Sequence, residues 1–370
     1  MLFAIIIAFF SVIFLMIIHE FGHFIVAKKS GIEVEEFGIG YPPRIYGKKF
    51  GKTLYSINLF PLGAFVRIPG EIGDIEDINS FSNLKMWKRV MIVLGGVISF
   101  WIAALIIFTI VFNIGVDVPI ADTENIEMNT KVQIVKVSND SPAQIAGIKK
   151  GDVIKELSSA SGNKSVVLIK DFQEFIEANK GQEVIVSFLR NGQLLQSSLV
   201  PRISPPANEG STGVQLTRTA TIIEKYPWYQ TPFRGLVFCG ELTWKSVVSL
   251  ADLLLGLVTG KGLPAAAEPA GPVGITVYIA KAAELGIGFF LYFVGAISVL
   301  LAIFNLLPIP ALDGGKLLFM AIEKIRSKPV SAKVEGVITT SFFVVLIALS
   351  LFITIKFDIP KLSGFIMGSF

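Results

Sequence analysis

The 370 residues contain only two histidines, and both stand in His19-Glu20-Phe21-Gly22-His23. Chance placement puts two histidines four apart, with a glutamate directly after the first, about once in 3,600 chains of this composition, a low false-positive risk for a short motif. On a helix, residues four apart share a face. Two neutral imidazoles there can hold one Zn2+, and Glu20 can act as general base on the attacking water. The bland reading is a pair of satisfied polar residues at a helix end.

Zinc in a hydrolytic site takes three protein ligands and keeps one position open. There is no third histidine, and the single cysteine, Cys239, falls in a segment expected on the outer side of the membrane. The third donor is therefore expected to be a carboxylate. Asp313 is the well-placed one, because it ends the uncharged run 285–312 at the same depth as the histidine pair. The stretch from Asn305 to Gly315 reads NLLPIPALDGG and cannot continue a regular helix past Pro308. Extended backbone at membrane depth is tolerated where it lines a cavity or packs in protein. The competing reading of Asp313 is an ordinary helix N-cap after a proline loop.

These side chains need elements to hold them, and the composition says of what kind. The chain is 52% hydrophobic and 17% charged, with a mean hydropathy of +0.65, whereas soluble domains carry about 25% charged residues. That excludes a wholly soluble globular protein and a disordered one. A net charge of +4 gives no case for a nucleic-acid partner, and one cysteine excludes an internal disulfide and any multi-cysteine metal site.

Four uncharged stretches are long enough, or nearly so, to cross a bilayer in helix: 1–18, 90–116, 285–312 and 337–355. The first lacks a basic start and a small-residue cleavage site, so it reads as a retained span rather than a signal peptide. Leu2 to His19 is about 26 Å of helix rise, which leaves the histidines at membrane depth, where ionisable residues are functional by default. Segments 27–89 and 313–336 are rich in Lys and Arg and read as cytoplasmic. Both termini and the long segment 117–284 are then expected outside, with the site near the cytoplasmic side.

Between the spans, 32–70 alternates short β-type runs with Gly and Pro turns and reads as apolar hairpins. These hairpins either cover the membrane helices or offer an edge near Ile57, Leu59 and Phe65 that holds an extended substrate by backbone pairing. Segment 131–202 reads as a compact soluble domain, with strands at 131–137, 183–189 and 194–200, a turn at Arg190-Asn191-Gly192-Gln193, and a helix over 171–178 opened by an Asp171 cap. Over 234–259, Arg234, Glu241, Lys245, Ser249, Asp252 and Thr259 share an arc of about 80°. That helix is expected on the outer membrane surface or against the other helices, with a fifth span as the alternative.

HEFGH in a first membrane helix with NLLPIPALDGG in a later one resembles the site-2 protease family of intramembrane zinc metalloproteases, and within it the bacterial regulator-of-sigma-E protease branch. The resemblance implies that His19, His23 and Asp313 are zinc ligands and that Glu20 is the catalytic base. It implies that Asn305, Pro308 and Pro310 shape the substrate cleft, and that 55–67 is the family's membrane re-entrant β-hairpin. Gly271-Pro272 also fits the family pattern, whereas Lys316 stands near where a His is often found. The run 141–154, SPAQIAGIKKGDVI, resembles a PDZ domain of the bacterial protease type, and only one such domain is evident.

The expected architecture is therefore a polytopic α-helical membrane protein of about four transmembrane helices, with a membrane-associated β-hairpin region and an inserted extracytoplasmic PDZ domain (α+β). Its segments are 1–26 (first span), 27–89 (β region), 90–116 (second span), 130–202 (PDZ), 203–284 (linker and amphipathic helix), 285–312 (third span), 313–336 (loop), 337–356 (fourth span) and 357–370 (tail). The expected setting is a bacterial inner membrane, as a multi-pass protein in contact with lipid. The expected substrate is a transmembrane protein, an anti-sigma factor or a remnant signal peptide, while the PDZ ligand or gating partner stays unidentified. Three readings compete. Other HExxH membrane proteases use a glutamate as third ligand, which the LDGG segment disfavours. A catalytically silent PDZ scaffold would not need Glu20 and Asp313. A transporter would show paired broken-helix repeats, and none is evident.

Overall fold

The first helix, α1 (Leu2–Lys29), forms because nothing in its apolar run interrupts the 3.6-residue repeat. Lys28 and Lys29 close its last turn, where cations complement the helix dipole, and Gly31 turns the chain at a φ of 94°. The structure is a computed structural model. It describes residues 2–70, 80–120, 130–190, 192–206, 209–260 and 269–366, so Asn191 and parts of the expected β region, linker and tail lie outside the described residues. It comprises two units, Met1–Ile114 with Tyr226–Phe370, and Gly115–Lys225.

In the first unit, α1 packs on α2 (Met86–Ile114) at backbone distance. A Cβ added to Gly22 would stand 2.2 Å from the Gly95 carbonyl oxygen, the small-residue contact through which apolar helices associate in lipid. Next, α7 (Ile287–Asn305) packs on α2, and Ser298 Oγ donates to the Phe100 carbonyl at 2.8 Å. Leu15, Val97, Phe100 and Ile297 meet in the shared core. The chain then turns through 306–312 into α8 (Asp313–Arg326), where a plain loop was expected, and on to α9 (Ala332–Ile353). A π-helical turn (Thr354–Asp358) links α9 to α10 (Ile359–Ile366).

Among the described residues, four helices are long and apolar enough to cross a membrane: Phe3–Lys29, Met86–Ile114, Ile287–Asn305 and Ala332–Gly364. No residue of α9 is buried. Phe342, Phe343, Val344 and Val345 stand exposed along it, a surface that lipid rather than water covers.

The sequence expectation for 234–259 resolves towards packing against other helices. The helix α5 (Thr231–Val258) lies along α2, with Phe238 edge-on to Phe108 at 4.9 Å and Trp101 Nε1 donating to Thr243 Oγ1 at 3.2 Å. Gly271 opens α6 (Pro272–Glu284), and its amide donates at 3.0 Å to Oδ1 of the fully buried Asp358. A Cβ on Gly271 would come within 2.6 Å of that carboxylate, so the Gly-Pro pair serves a close approach.

The β region is two long bent strands, β1 (Glu36–Phe50) and β2 (Thr53–Arg67). Residues 36–39 lie between two stretches of β2, opposite 54–57 on one side and 64–67 on the other. Glu36, 3% exposed, pins the bend by accepting from Arg44 Nη2 at 2.9 Å and Ser56 Oγ at 2.6 Å.

The second unit is a seven-stranded sheet. Its order is β3 (Val116–Ile120), β9 (Val214–Ile223), β4 (Thr130–Val137), β5 (Val153–Ser159), β7 (Val184–Arg190) and β8 (Gln193–Leu199), with β6 (Gly162–Ser165) paired to β5. The helices α3 (Pro142–Ile145) and α4 (Ile169–Ala178) complete it, over a core that includes Val132, Ile154, Leu157, Phe172 and Val186. The unit is longer than the expected 130–202 because β9, beyond the proline-rich 201–206 stretch, returns between β3 and β4. Asp171 is not the N-cap of α4 but its third helical residue, where it accepts from the amides of Leu168 and Val167 at 2.9 and 3.1 Å.

Candidate metal centre and its cleft

The geometry starts from α1. His19 and His23 lie one turn apart, with their Nε2 atoms 3.2 Å from each other. Asp313 Oδ2 is 3.4 Å from His19 Nε2 and 3.2 Å from His23 Nε2. A tetrahedral zinc with N and O bonds of about 2.0–2.1 Å separates its ligand atoms by about 3.3–3.4 Å. The triangle therefore has the size of one face of a zinc tetrahedron, and the fourth corner is left for a water or substrate.

The donor chemistry fits as well. His23 Nδ1 lies 2.9 Å from the Ile92 carbonyl and donates to it, so the Nε2 lone pair points at the shared centre. Asp313 Oδ2 is buried and has no hydrogen-bond donor, an arrangement that a cation at the centre would satisfy. His19 is held by stacking on Phe100, with ring centroids 4.7 Å apart.

Three glycines set these positions: Gly96, which the sequence reading did not single out, and Gly314 and Gly315, which it quoted only as part of the LDGG stretch. A Cβ on Gly96 would stand 2.2 Å from His23 Nε2, so only glycine leaves room for the imidazole. The Gly95-Gly96 pair inside an apolar helix was the available signal. On the other side, Cβ atoms on Gly314 and Gly315 would stand 2.1 Å from the Leu307 oxygen and 2.3 Å from the Ile309 oxygen. The 306–312 segment is a run of turns, closed by local bonds such as Leu312 N to the Ile309 oxygen at 2.9 Å, and it folds directly onto the start of α8, which delivers Asp313 to the histidines. Leu312 holds the N-cap position and Asp313 the first helical one, so the carboxylate is not spent on capping.

A cavity of about 560 Å3 opens beside the triangle. His19, Glu20 and Asp313 line it, and so do Asn305 and Pro310. Pro308, Ile57, Leu59 and Phe65 do not. Phe65 instead stacks on Tyr41 at 6.1 Å. The strand β2 does reach α1 nearby, since a Cβ on Gly63 would meet Met16, a residue of the cavity wall, at 2.8 Å. Burial and the Glu20 charge push the Tyr41 phenol above its ordinary value. The cavity also carries charges to which the sequence reading gave no role at the site. Arg89 Nη1 donates to both carboxylate oxygens of Glu323 at 2.9 Å, and Lys316 and Glu335 share the wall.

Comparison with known proteins covers most of the chain. The sequence profile of the family described as peptidase family M50 matches residues 6–349. A Clostridium perfringens protein named "Putative zinc metalloprotease CPE1693" is 33% identical, over 92% of this chain and 94% of its own. The "Zinc metalloprotease RasP" of Oceanobacillus iheyensis is 26% identical, over 94% of this chain and 96% of its own. Among solved structures, the PDZ domain of the SdrC-like protein Lmo2051 from Listeria monocytogenes aligns with 23% of this chain and 85% of its own, at 20% identity and a TM-score of 0.20.

Proposed function

The chain belongs to peptidase family M50 and is a zinc metalloprotease of the site-2 type, and on that footing we propose that it cleaves a transmembrane substrate inside the bilayer with His19, His23 and Asp313 as zinc ligands and Glu20 as base. The observation that carries this reading is the His19–His23–Asp313 triangle facing one cavity with Glu20, on a helix apolar enough to span. Zinc, when bound, polarises the scissile carbonyl and makes its water acidic. Glu20 takes a proton from the attacking water and returns it to the leaving amine.

A substrate helix satisfies its own backbone hydrogen bonds in lipid and must unwind before a carbonyl can be attacked. Asn305 and Pro310 line the space where the unwound segment would lie. Pro308 shapes the turn behind them, and the proposed edge for backbone pairing is β2 near Leu59 and Phe65, since Ile57 already pairs with Ile39 and Tyr46 of β1. In this reading the site faces the cytoplasmic side of a bacterial inner membrane. The termini and the Gly115–Lys225 unit, read as a PDZ domain, lie outside. The substrate is an anti-sigma factor or a remnant signal peptide.

The test compares membrane fragments in cells carrying the wild-type chain and Glu20→Gln. Short transmembrane stubs should accumulate only with Glu20→Gln, and identical fragment patterns would refute the reading.

A further inference from the structure

Part of the wall of the cavity beside the metal triangle is one stripe of α9. Ala332, Glu335, Gly336, Thr339 and Thr340 follow the three-and-four spacing of a single helix face, and all five line the cavity. The helix is otherwise apolar, and none of its residues is buried. A small and polar face on such a helix suits close contact with another polypeptide backbone rather than with lipid.

Glu335 is the one charge on that stripe. Among the described residues its carboxylate makes no ion pair within 4.0 Å, whereas the neighbouring Glu323 is claimed by Arg89 in a two-oxygen bridge. The charges of Arg89, Lys316 and Glu323 act on Glu335 from α2 and α8, and they include both signs. Glu335 lies in the first turn of α9, within the basic 313–336 segment.

We propose that Glu335 selects substrates by pairing with a Lys or Arg on the cytoplasmic flank of the substrate's transmembrane segment. The partner chemistry follows from a general asymmetry: membrane proteins concentrate Lys and Arg in the short segments next to the cytoplasmic ends of their spans. A substrate lying along the α9 stripe, with its unwound part at Glu20, brings that flank to the Glu335 end of the cavity. A partly desolvated ion pair at such a point fixes register more than it adds affinity. Glu335 thus sets which peptide bond reaches Glu20. This inference rests on the proteolytic reading above.

The test is a charge exchange in the full chain. A tagged single-span model protein is co-expressed in three versions, with two Lys, two Gln or two Glu on its cytoplasmic flank. The protease is supplied as wild type, Glu335→Gln, Glu335→Lys and Glu20→Gln. Wild type should cut the Lys version fastest. Glu335→Gln should flatten the ranking, and Glu335→Lys should reverse it, with a change of about tenfold for one such pair. Co-isolation of the three versions with the Glu20→Gln chain should follow the wild-type ranking. A wild type indifferent to flank charge, or Glu335 variants that lower all three versions equally, would overturn the proposal. Cleavage of the tagged model protein that persists with Glu20→Gln would instead remove the proteolytic reading, and the anchor with it.

Discussion

Asp313 Oδ2 lies 3.2–3.4 Å from the Nε2 atoms of His19 and His23, the two histidines of the chain. Each of the three is expected to be needed for the metal. Purified wild-type chain should carry about one Zn2+, and His19→Ala, His23→Ala or Asp313→Ala should carry almost none by elemental analysis. Gly96→Ala is the sharper variant, because it alters no ligand. Its methyl group would stand 2.2 Å from His23 Nε2, and displacing a ligand in this way should weaken zinc retention against a chelator at least tenfold. Full zinc in Gly96→Ala would show that the imidazole can give way. Gly96 was not legible beforehand because a glycine's role here is an absence of atoms. Its neighbour across the helix pair becomes known only when α1 and α2 are packed. The assignment of Pro308, Ile57, Leu59 and Phe65 to the cleft was also beyond local reading, since lining depends on where 306–312 and β2 come to lie.

Elements that obey a period were read from the sequence to within a few residues. The helices α1, α2 and α7 follow from uninterrupted apolar runs, and β4, β7 and β8 from alternation. The exceptions have local causes. The segment 313–336 is polar enough to pass for a loop, yet α8 forms there because its apolar side has Gly314 and Gly315 to anchor it under the 306–312 turn. The strand β9 stands after three prolines, which read as a linker's end, although its own Val-Gln-Leu-Thr-Arg-Thr-Ala-Thr-Ile-Ile run has strand chemistry. Asp171 allows the element scale to be tested. Burial raises its carboxyl, but the amides of Leu168 and Val167 and the Lys164 ammonium outweigh this and hold it below the ordinary value of 3.8. A depressed folded pKa gives stability that is present above the unfolded pKa and lost as pH falls through the folded one. Asp171→Asn should therefore destabilise the Gly115–Lys225 unit at pH 7 by about 1 kcal/mol, the usual worth of a helix-start carboxylate. At a pH low enough to protonate the folded carboxyl the difference should fade, as the wild-type side chain is then neutral too. Denaturant melts followed at a probe within that unit, at both pH values, check this; an equal loss at both would assign the effect to packing.

At the scale of the whole molecule, the apolar exposure of α9 and the four spans make a membrane protein, and the placement of its loops is the remaining proposition. An even number of spans returns the chain to the side from which it started. On the proposed topology, the Lys and Arg bias assigns 27–89 and 313–336 to one side, the cytoplasmic one. The helix α5 could upset this arithmetic. It lies along α2, yet it carries Glu241, Lys245 and Asp252 and is not among the four candidate spans. If α5 crossed fully, the side on which α6 begins would invert, and the later spans with it. Single cysteines can decide between these. In a Cys239→Ser background, Lys49→Cys near the end of β1 and Lys328→Cys after α8 should react with an impermeant maleimide only after the membrane is opened. Lys150→Cys in the Gly115–Lys225 unit should react in intact spheroplasts. Labelling of positions 49 and 328 from opposite sides would mean that α5 counts as a span, and the cytoplasmic flank assigned to Glu335 would then have to be redrawn. Labelling of both from the inside leaves Glu20, Asp313 and Glu335 together at the face where a substrate's basic flank lies.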